Sequence, residues 1–220
     1  MKYLKKIETK DELTTVRQRP NLVLVNSTKE VLYNAVPNGF YIEHIDSTLY
    51  TLNEWETAGF AGDLANGVAV ITDDCRFVIS KEDAATSVEW SNSKNIVQGV
   101  TIATNNEESY TDYEGKSNTL AMLIDGNQPV ANACDEYVFP NGKRGYLPAQ
   151  GEWKTVFENM TSVRKLLSAI GAEPITQKNL WSSTQYSEEK AFECYLENYG
   201  ATWTTDKKQT RYYARAFTTL

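Results

Sequence analysis

The residues able to do chemistry are few and scattered. His44 is the single histidine, set in the strand-like run FYIEHID. Cys75, Cys134 and Cys194 lie far apart, with no CxxC spacing. Serine or cysteine triads and histidine-rich metal sites therefore lack raw material, and the cysteines read as small buried hydrophobes. No cofactor is expected. Richer chemistry gathers near the C-terminus. LWSSTQYSEEKAF (180–192) places two aromatics, consecutive hydroxyl residues and a Tyr-Ser pair before the last strands. AFECYLENY (191–199) then alternates, with Phe192, Cys194 and Leu196 on one face and Glu193, Tyr195, Glu197 and Tyr199 on the other. Of thirteen tyrosines, five (186, 195, 199, 212 and 213) fall in the final 35 residues. Tyrosine gives binding surfaces large contact area at low rotamer cost, although plain β-propensity also enriches it.

The elements that must position these residues belong to an ordinary folded chain. At 220 residues, 41% hydrophobic and 23% charged, it reads as one moderately large domain, or one domain with a small extension. A net charge of −7 gives a phosphate backbone little to bind, so no nucleic acid is expected. MKYLKKI is followed by Glu8, Lys10, Asp11 and Glu12 rather than an apolar run. The expectation is synthesis in the cytoplasm without a signal peptide, and no membrane insertion.

LVLVNSTKEVLY (22–33) reads as a hairpin broken at Asn26-Ser27-Thr28, and FYIEHID with LYT as a second. Thr51 and Glu54 form a capping box for a helix that carries Trp55 inward and stops near Gly59. GVAVI (67–71) and RFVIS (76–80) read as strands joined by Asp73-Asp74. Ser80 and Asp83 repeat the capping pattern, predicting a short helix there, and 86–117 reads as loop with a short strand at VTIAT. A helix is predicted from Pro129 to Tyr137. Trp153, Val156, Phe157 and Met160, then Val163, Leu166, Leu167 and Ile170, give two helical core stripes ended by Gly171. ATW and RYYARAF are the last strands. Strands, then helices, then strands imply an α+β domain with an antiparallel sheet and two or three packed helices.

Five stretches then fit one pattern: GVAVITDDCRFVISKED (67–83), DYEGKSNT (112–119), ANACDEYVFPNGKRGYLPAQGEW (131–153), LWSSTQYS (180–187) and YYARAF (212–217). In this order they resemble the C-type-lectin-fold domains of gut Bacteroides and their phages. That superfamily includes formylglycine-generating enzymes and the variable proteins of diversity-generating retroelements. The resemblance covers roughly 49–220. Beside it, GYLPAQGEW reads as a helix start with Glu152 near its positive end, or as placing Glu152 to pair with Arg215. WSST reads as a buried Trp181 followed by hydroxyls that satisfy turn backbone, with the functional part beginning at Gln185.

The resemblance implies a C-type lectin fold over 49–220 and a receptor-binding, ligand-display role for a phage tail or bacterial surface protein. Residues 1–48 become a small β-rich segment for oligomerisation or attachment, with a homo-trimer as the expected assembly. The binding face implied by strand parity comprises Tyr186, Glu193, Tyr195, Glu197, Tyr199, Thr202, Thr204, Asp206, Thr210 and Tyr212. Phe192, Cys194, Leu196, Trp203, Tyr213 and Phe217 alternate with them as core. Its tyrosines and carboxylates favour a polar or cationic patch on a cell-surface protein or glycan. Diversification in that family acts at template adenines, typically in Asn codons, which cannot become Glu or Gln. Glu193, Glu197 and Gln209 depart from this, so unless they arise from Lys codons, either the chain is a fixed relative or those positions do not vary. Formylglycine chemistry needs a close cysteine pair near the C-terminus, where Cys194 stands alone. Calcium-dependent sugar binding needs a third oxygen where Glu173-Pro174-Ile175 has isoleucine. The expectation is therefore a metal-free binding protein rather than an enzyme, with a structural virion decoration protein, or after it a formylglycine-generating-type enzyme, as the alternatives.

Overall fold

A computed structural model describes residues 36–197 and 200–220 in full, together with the backbone of β1 (Lys5–Ile7), β2 (Asn21–Val25) and β3 (Glu30–Asn34). β2 and β3 pair antiparallel with Val23 opposite Leu32, as the first hairpin predicts, and β1 joins β2 in parallel. The Asn26-Ser27-Thr28 break lies outside the described residues.

The main sheet is built from β4 (Gly39–His44), β5 (Leu49–Tyr50), β6 (Ala65–Ile71), β7 (Arg76–Glu89), β8 (Asn179–Gln185), β9 (Lys190–Leu196), β10 (Ala201–Lys207) and β11 (Arg211–Thr219). Their order is β10-β9-β8-β11-β7-β6-β4-β5, antiparallel except where β8 meets β11. β4 pairs with β6 from Gly39 onward, so this sheet begins before residue 48. Among the described residues, six α-helices accompany it: α1 (Leu52–Ala58), α2 (Asn106–Ser109), α3 (Gly115–Asp125), α4 (Pro129–Glu136), α5 (Gln150–Glu158) and α6 (Met160–Ala169). The chain is thus an α+β protein.

Strand parity builds a core on each side of the sheet. Val68, Val70, Phe77 and Ile79 face Trp153, Val156, Val163, Leu166 and Leu167 of α5 and α6. Ala69, Ile71 and Val78 face Met122, Val130, Ala131 and Cys134 of α3 and α4. Every residue of β6 is buried, as expected where both faces of a strand are covered. Trp153 and Trp181 are both fully buried. The capping box opens α1 as predicted: Thr51 N–H donates to Glu54 Oε2 at 2.8 Å, and Gly59 closes the helix at φ 67°.

Local expectations fail at several points, and the strand expected at VTIAT is only an isolated bridge at Ile102. The helix predicted from Ser80 and Asp83 is instead the middle of β7, a 14-residue strand whose length pairs with β11. Ser80 Oγ donates to Glu82 O at 2.7 Å instead of capping a helix, so tertiary pairing overrides the local signal. α3 begins within the stretch read as loop; Glu114, at its N-cap, makes no side-chain capping bond that could announce the start. Of the two readings of Glu152, the helix start holds, since it sits in the first turn of α5, and the pairing with Arg215 does not. The Glu152 carboxyl accepts from Ala149 N–H and Tyr146 Oη, both at 2.7 Å. Arg215 is fully buried and meets Asp83 at 3.0 Å, with its other nitrogen donating to Lys81 O and Glu173 O.

Candidate functional site

β8, β9, β10 and β11 form the end of the sheet that carries the candidate residues. The register sets Tyr195 between Asn179 and Thr202, and Glu193 between Trp181 and Thr204, while Asp206 stands beside Ala191. Alternation therefore puts Asn179, Trp181, Glu193, Tyr195, Thr202, Thr204 and Asp206 on one face. From β11, Tyr212 joins them: its ring lies 4.9 Å from that of Trp181 and its hydroxyl donates to Asp206 Oδ2 at 2.5 Å.

The face has a buried floor and an accessible rim. Trp181 is the floor, its indole N–H donating to Val88 O at 3.0 Å. Glu193 belongs to the floor as well, being only 2% exposed, which corrects its expected place among the displayed side chains. The cause is its position in a central strand, flanked by β8 and β10, where neighbouring side chains close over it. Burial pushes its carboxyl up to about 7, and nearby Asp206 adds to this, against a 3.0 Å hydrogen bond from Asn179 Nδ2. Thr202 and Thr204 are exposed, and Tyr195, Asp206 and Tyr212 are half-buried. Burial would raise Asp206, but hydrogen bonds from Tyr212, Lys207 N–H and Thr210 outweigh it and hold the carboxyl below its usual value. The same contact, added to burial, raises the Tyr212 hydroxyl.

Tyr186, Glu197 and Thr210 are not among the residues that the β8–β10 register sets on this face. Tyr186 is exposed, but its ring packs 5.8 Å from Phe192, which points to the opposite side of β9 from Glu193. Glu197 is exposed just past the end of β9, and Tyr199 lies outside the described residues. Thr210, half-buried in the β10–β11 turn, reaches the face only through Asp206.

Rigid scaffolding sets the turn that presents Asp206 and Tyr212. Lys208 is fully buried; its ammonium donates to Asn95 O at 2.7 Å and Gln185 Oε1 at 3.2 Å, and lies 4.5 Å from the Trp90 ring. Burial lowers its pKa to about 8. Gln185, expected to open the functional part of the loop, is instead fully buried. Its amide accepts from Val97 N–H and donates to Val97 O and Val100 O. Ser182, Ser183 and Thr184 are buried too, bonded to Phe192 O, Asn118 and Asp112 respectively. The whole of LWSSTQ is structural.

Trp203, assigned to the core by parity, is only half-buried. It lies on the opposite face of β10, its ring 5.6 Å from Tyr110 and 5.8 Å from Phe157. Edge position explains the exposure, because β10 has a neighbour strand on one side only. A cleft of about 620 Å³ opens elsewhere, between α3 and the end of β11, lined by Leu120, Leu123, Lys143, Arg144 and Thr219. Its polar side chains serve mainly the fold: Arg144 pairs with Asp135 at 2.5 Å and Lys143 Nζ donates to Thr219 O at 2.8 Å. The sequence holds no signal for that cleft. Of the thiols, Cys134 and Cys194 are fully buried, and burial raises both pKa values.

No family model matches the chain, and no curated protein does. Among solved structures, a fimbrial protein from Bacteroides ovatus has a similar fold, with a TM-score of 0.60 at 12% sequence identity. The match covers 84% of this chain and 49% of the fimbrial protein, so the chain spans about half that protein's length. At this identity the likeness is one of fold.

Proposed function

We propose that the protein is a non-enzymatic binding protein of C-type lectin fold that presents a partner-contact face from β9, β10 and the start of β11. The observation that carries this reading is the gathering of Tyr195, Thr202, Thr204, Asp206 and Tyr212 on one accessible face over the fixed floor of Trp181 and Glu193. Rim side chains can change there without disturbing either core, while Lys208 and Gln185 hold the turn in place. The mixture of aromatic rings, hydroxyls and one carboxylate held ionised suits a polar or cationic patch on a cell-surface protein or glycan. The fold likeness to a fimbrial protein supports display on a cell or particle surface, as a bacterial surface component or a virion part.

The test is binding of the fluorescently labelled protein to intact bacterial cells. Tyr195→Ala should weaken cell binding by about 1–2 kcal/mol, the range of an aromatic anchor, with its melting temperature held. Normal binding by that variant would overturn this face as the contact site.

A further inference from the structure

Among the described residues, the same end of the sheet carries an unpaired strand edge. Glu197 N–H donates to Gly200 O at 2.8 Å, and Lys208 N–H to Glu189 O at 2.9 Å. Both bonds keep the register that sets Thr202 opposite Tyr195 and Thr204 opposite Glu193. Even-numbered residues of β10 therefore turn their backbone groups toward β9, and Ala201, Trp203, Thr205 and Lys207 turn theirs outward. Some outward groups are occupied. Lys207 N–H donates to Asp206 Oδ1 and Lys207 O accepts from Thr210, while Trp203 O accepts from Asn106 Nδ2 at 3.2 Å. Among the described residues, no hydrogen bond reaches the N–H and C=O of Ala201 and Thr205 or the N–H of Trp203. Ala201, Trp203 and Thr205 are only partly buried, so the edge over 201–205 is open to solvent.

The two faces flanking this edge differ in chemistry. On one lies the half-exposed ring of Trp203, backed by Tyr110 and Phe157. On the other lie Thr202 and Thr204, with Glu197 exposed at the Ala201 end; Lys190 and Lys207, paired with each other, stand at the far end of the Trp203 face. The chain as a whole is acidic, at −7.

We propose that β10 captures an extended segment of a partner protein as an added strand, one alternating apolar residues with basic ones. The proposal rests on the reading of this end of the sheet as the binding end, and it names the ligand class. Added strands gain affinity from main-chain hydrogen bonds and selectivity from alternate side chains. Here apolar residues of the guest lie beside Trp203, and basic ones extend the Thr202–Thr204 face near Glu197. Asn106 acts as a guard: its amide sits on Trp203 O and holds off any strand that cannot share that carbonyl.

The probe is a short synthetic peptide of alternating valine and lysine, acetylated and amidated, titrated into the full chain and followed by NMR. Saturable shifts should centre on Ala201, Trp203 and Thr205, whose amides should also become slow to exchange. Two control peptides carry N-methyl groups on all valines or on all lysines. One frame should lose binding by at least about tenfold while the other still binds, because alternate N–H groups of a strand face opposite ways. Thr205→Pro, which removes an outward N–H and no bond to β9, should weaken capture with the melting temperature held. Equal binding by both methylated peptides, shifts on another surface, or no binding at all would overturn strand capture. None of these outcomes involves Tyr195 or cell binding, so the contact face stands or falls separately.

Discussion

β8 and the β9–β10 pair are both rich in hydroxyl and carboxyl groups, yet they use them in opposite ways. In β8 every polar side chain from Ser182 to Gln185 is buried and bonded to a neighbouring element. In β10 the threonines at 202 and 204 face solvent. Composition does not separate the two strands; coverage does. β8 lies between β9 and β11 and is covered by α5 and the loop around 97–101, so each polar group there must find a partner or cost free energy. β10 is an edge strand, and its outer side chains keep their water.

The comparison is most easily broken at the floor. Trp181→Ala and Trp153→Ala should each destabilise the protein by about 3–5 kcal/mol in chemical denaturation. Near-neutral effects would mean that these indoles do not anchor the two cores.

Next comes the buried network of β8. Thr184 Oγ1 donates to Asp112 Oδ2 at 2.6 Å and accepts from Gln150 N–H at 3.0 Å. Thr184→Val keeps the shape but strands Gln150 N–H and leaves Asp112 Oδ2 with Asn118 as its remaining donor, at a cost of about 1–3 kcal/mol. Thr204→Val on β10 should stay within about 0.5 kcal/mol, as an exposed substitution does. Similar costs at both positions would erase the distinction drawn between the strands.

The carboxyls provide a third test. Burial lifts Glu193 from 4.5 to about 7 and Glu152 to about 8. The folded state therefore keeps protons that the unfolded chain has already lost. Their contribution to stability is full below pH 4.5 and is lost as pH rises through about 7 and 8. Unfolding free energy should fall across that window, by at most about 1.4 kcal/mol per pH unit for each group. Glu193→Gln should flatten the part between 4.5 and 7. An unchanged slope would show that Glu193 ionises freely and belongs to the rim.

A small effect is also expected at Tyr195. Tyr195→Ala should change stability by no more than about 1 kcal/mol, measured by thermal melting, since its ring is only half-covered. A loss as large as that of Trp181→Ala would place Tyr195 in the core.

Periodic features were the most legible in the sequence. The helical stripes from Trp153 and Val163, the Thr51–Glu54 box, the β2–β3 and β4–β5 hairpins and the burial of Trp181 all follow from local spacing and local chemistry. The alternation in β9 correctly sorted Cys194 and Leu196 from Tyr195, because the two-residue period of a strand is covalent geometry. Parity, however, says which side a residue faces and not what lies on that side. Glu193 and Tyr195 share a face, but Glu193 is closed over by β8, β10 and their side chains. Trp203 shares a face with buried residues, but its strand ends the sheet.

The sequence by itself thus determined the hairpins and the two striped helices, the inward stripes and the clustering of tyrosines near the C-terminus. These depend on residues a few positions apart. The tertiary structure alone decided that Ser80–Asp83 extends a strand, that Gln185 and Lys208 are interior, and which rim side chains meet above Trp181. The first two depend on distant partners, such as Gln185 for Lys208, 23 residues away, and Arg215 for Asp83, 132 residues away. Local patterning cannot encode such coverage, because burial is conferred by whichever distant elements pack on a strand.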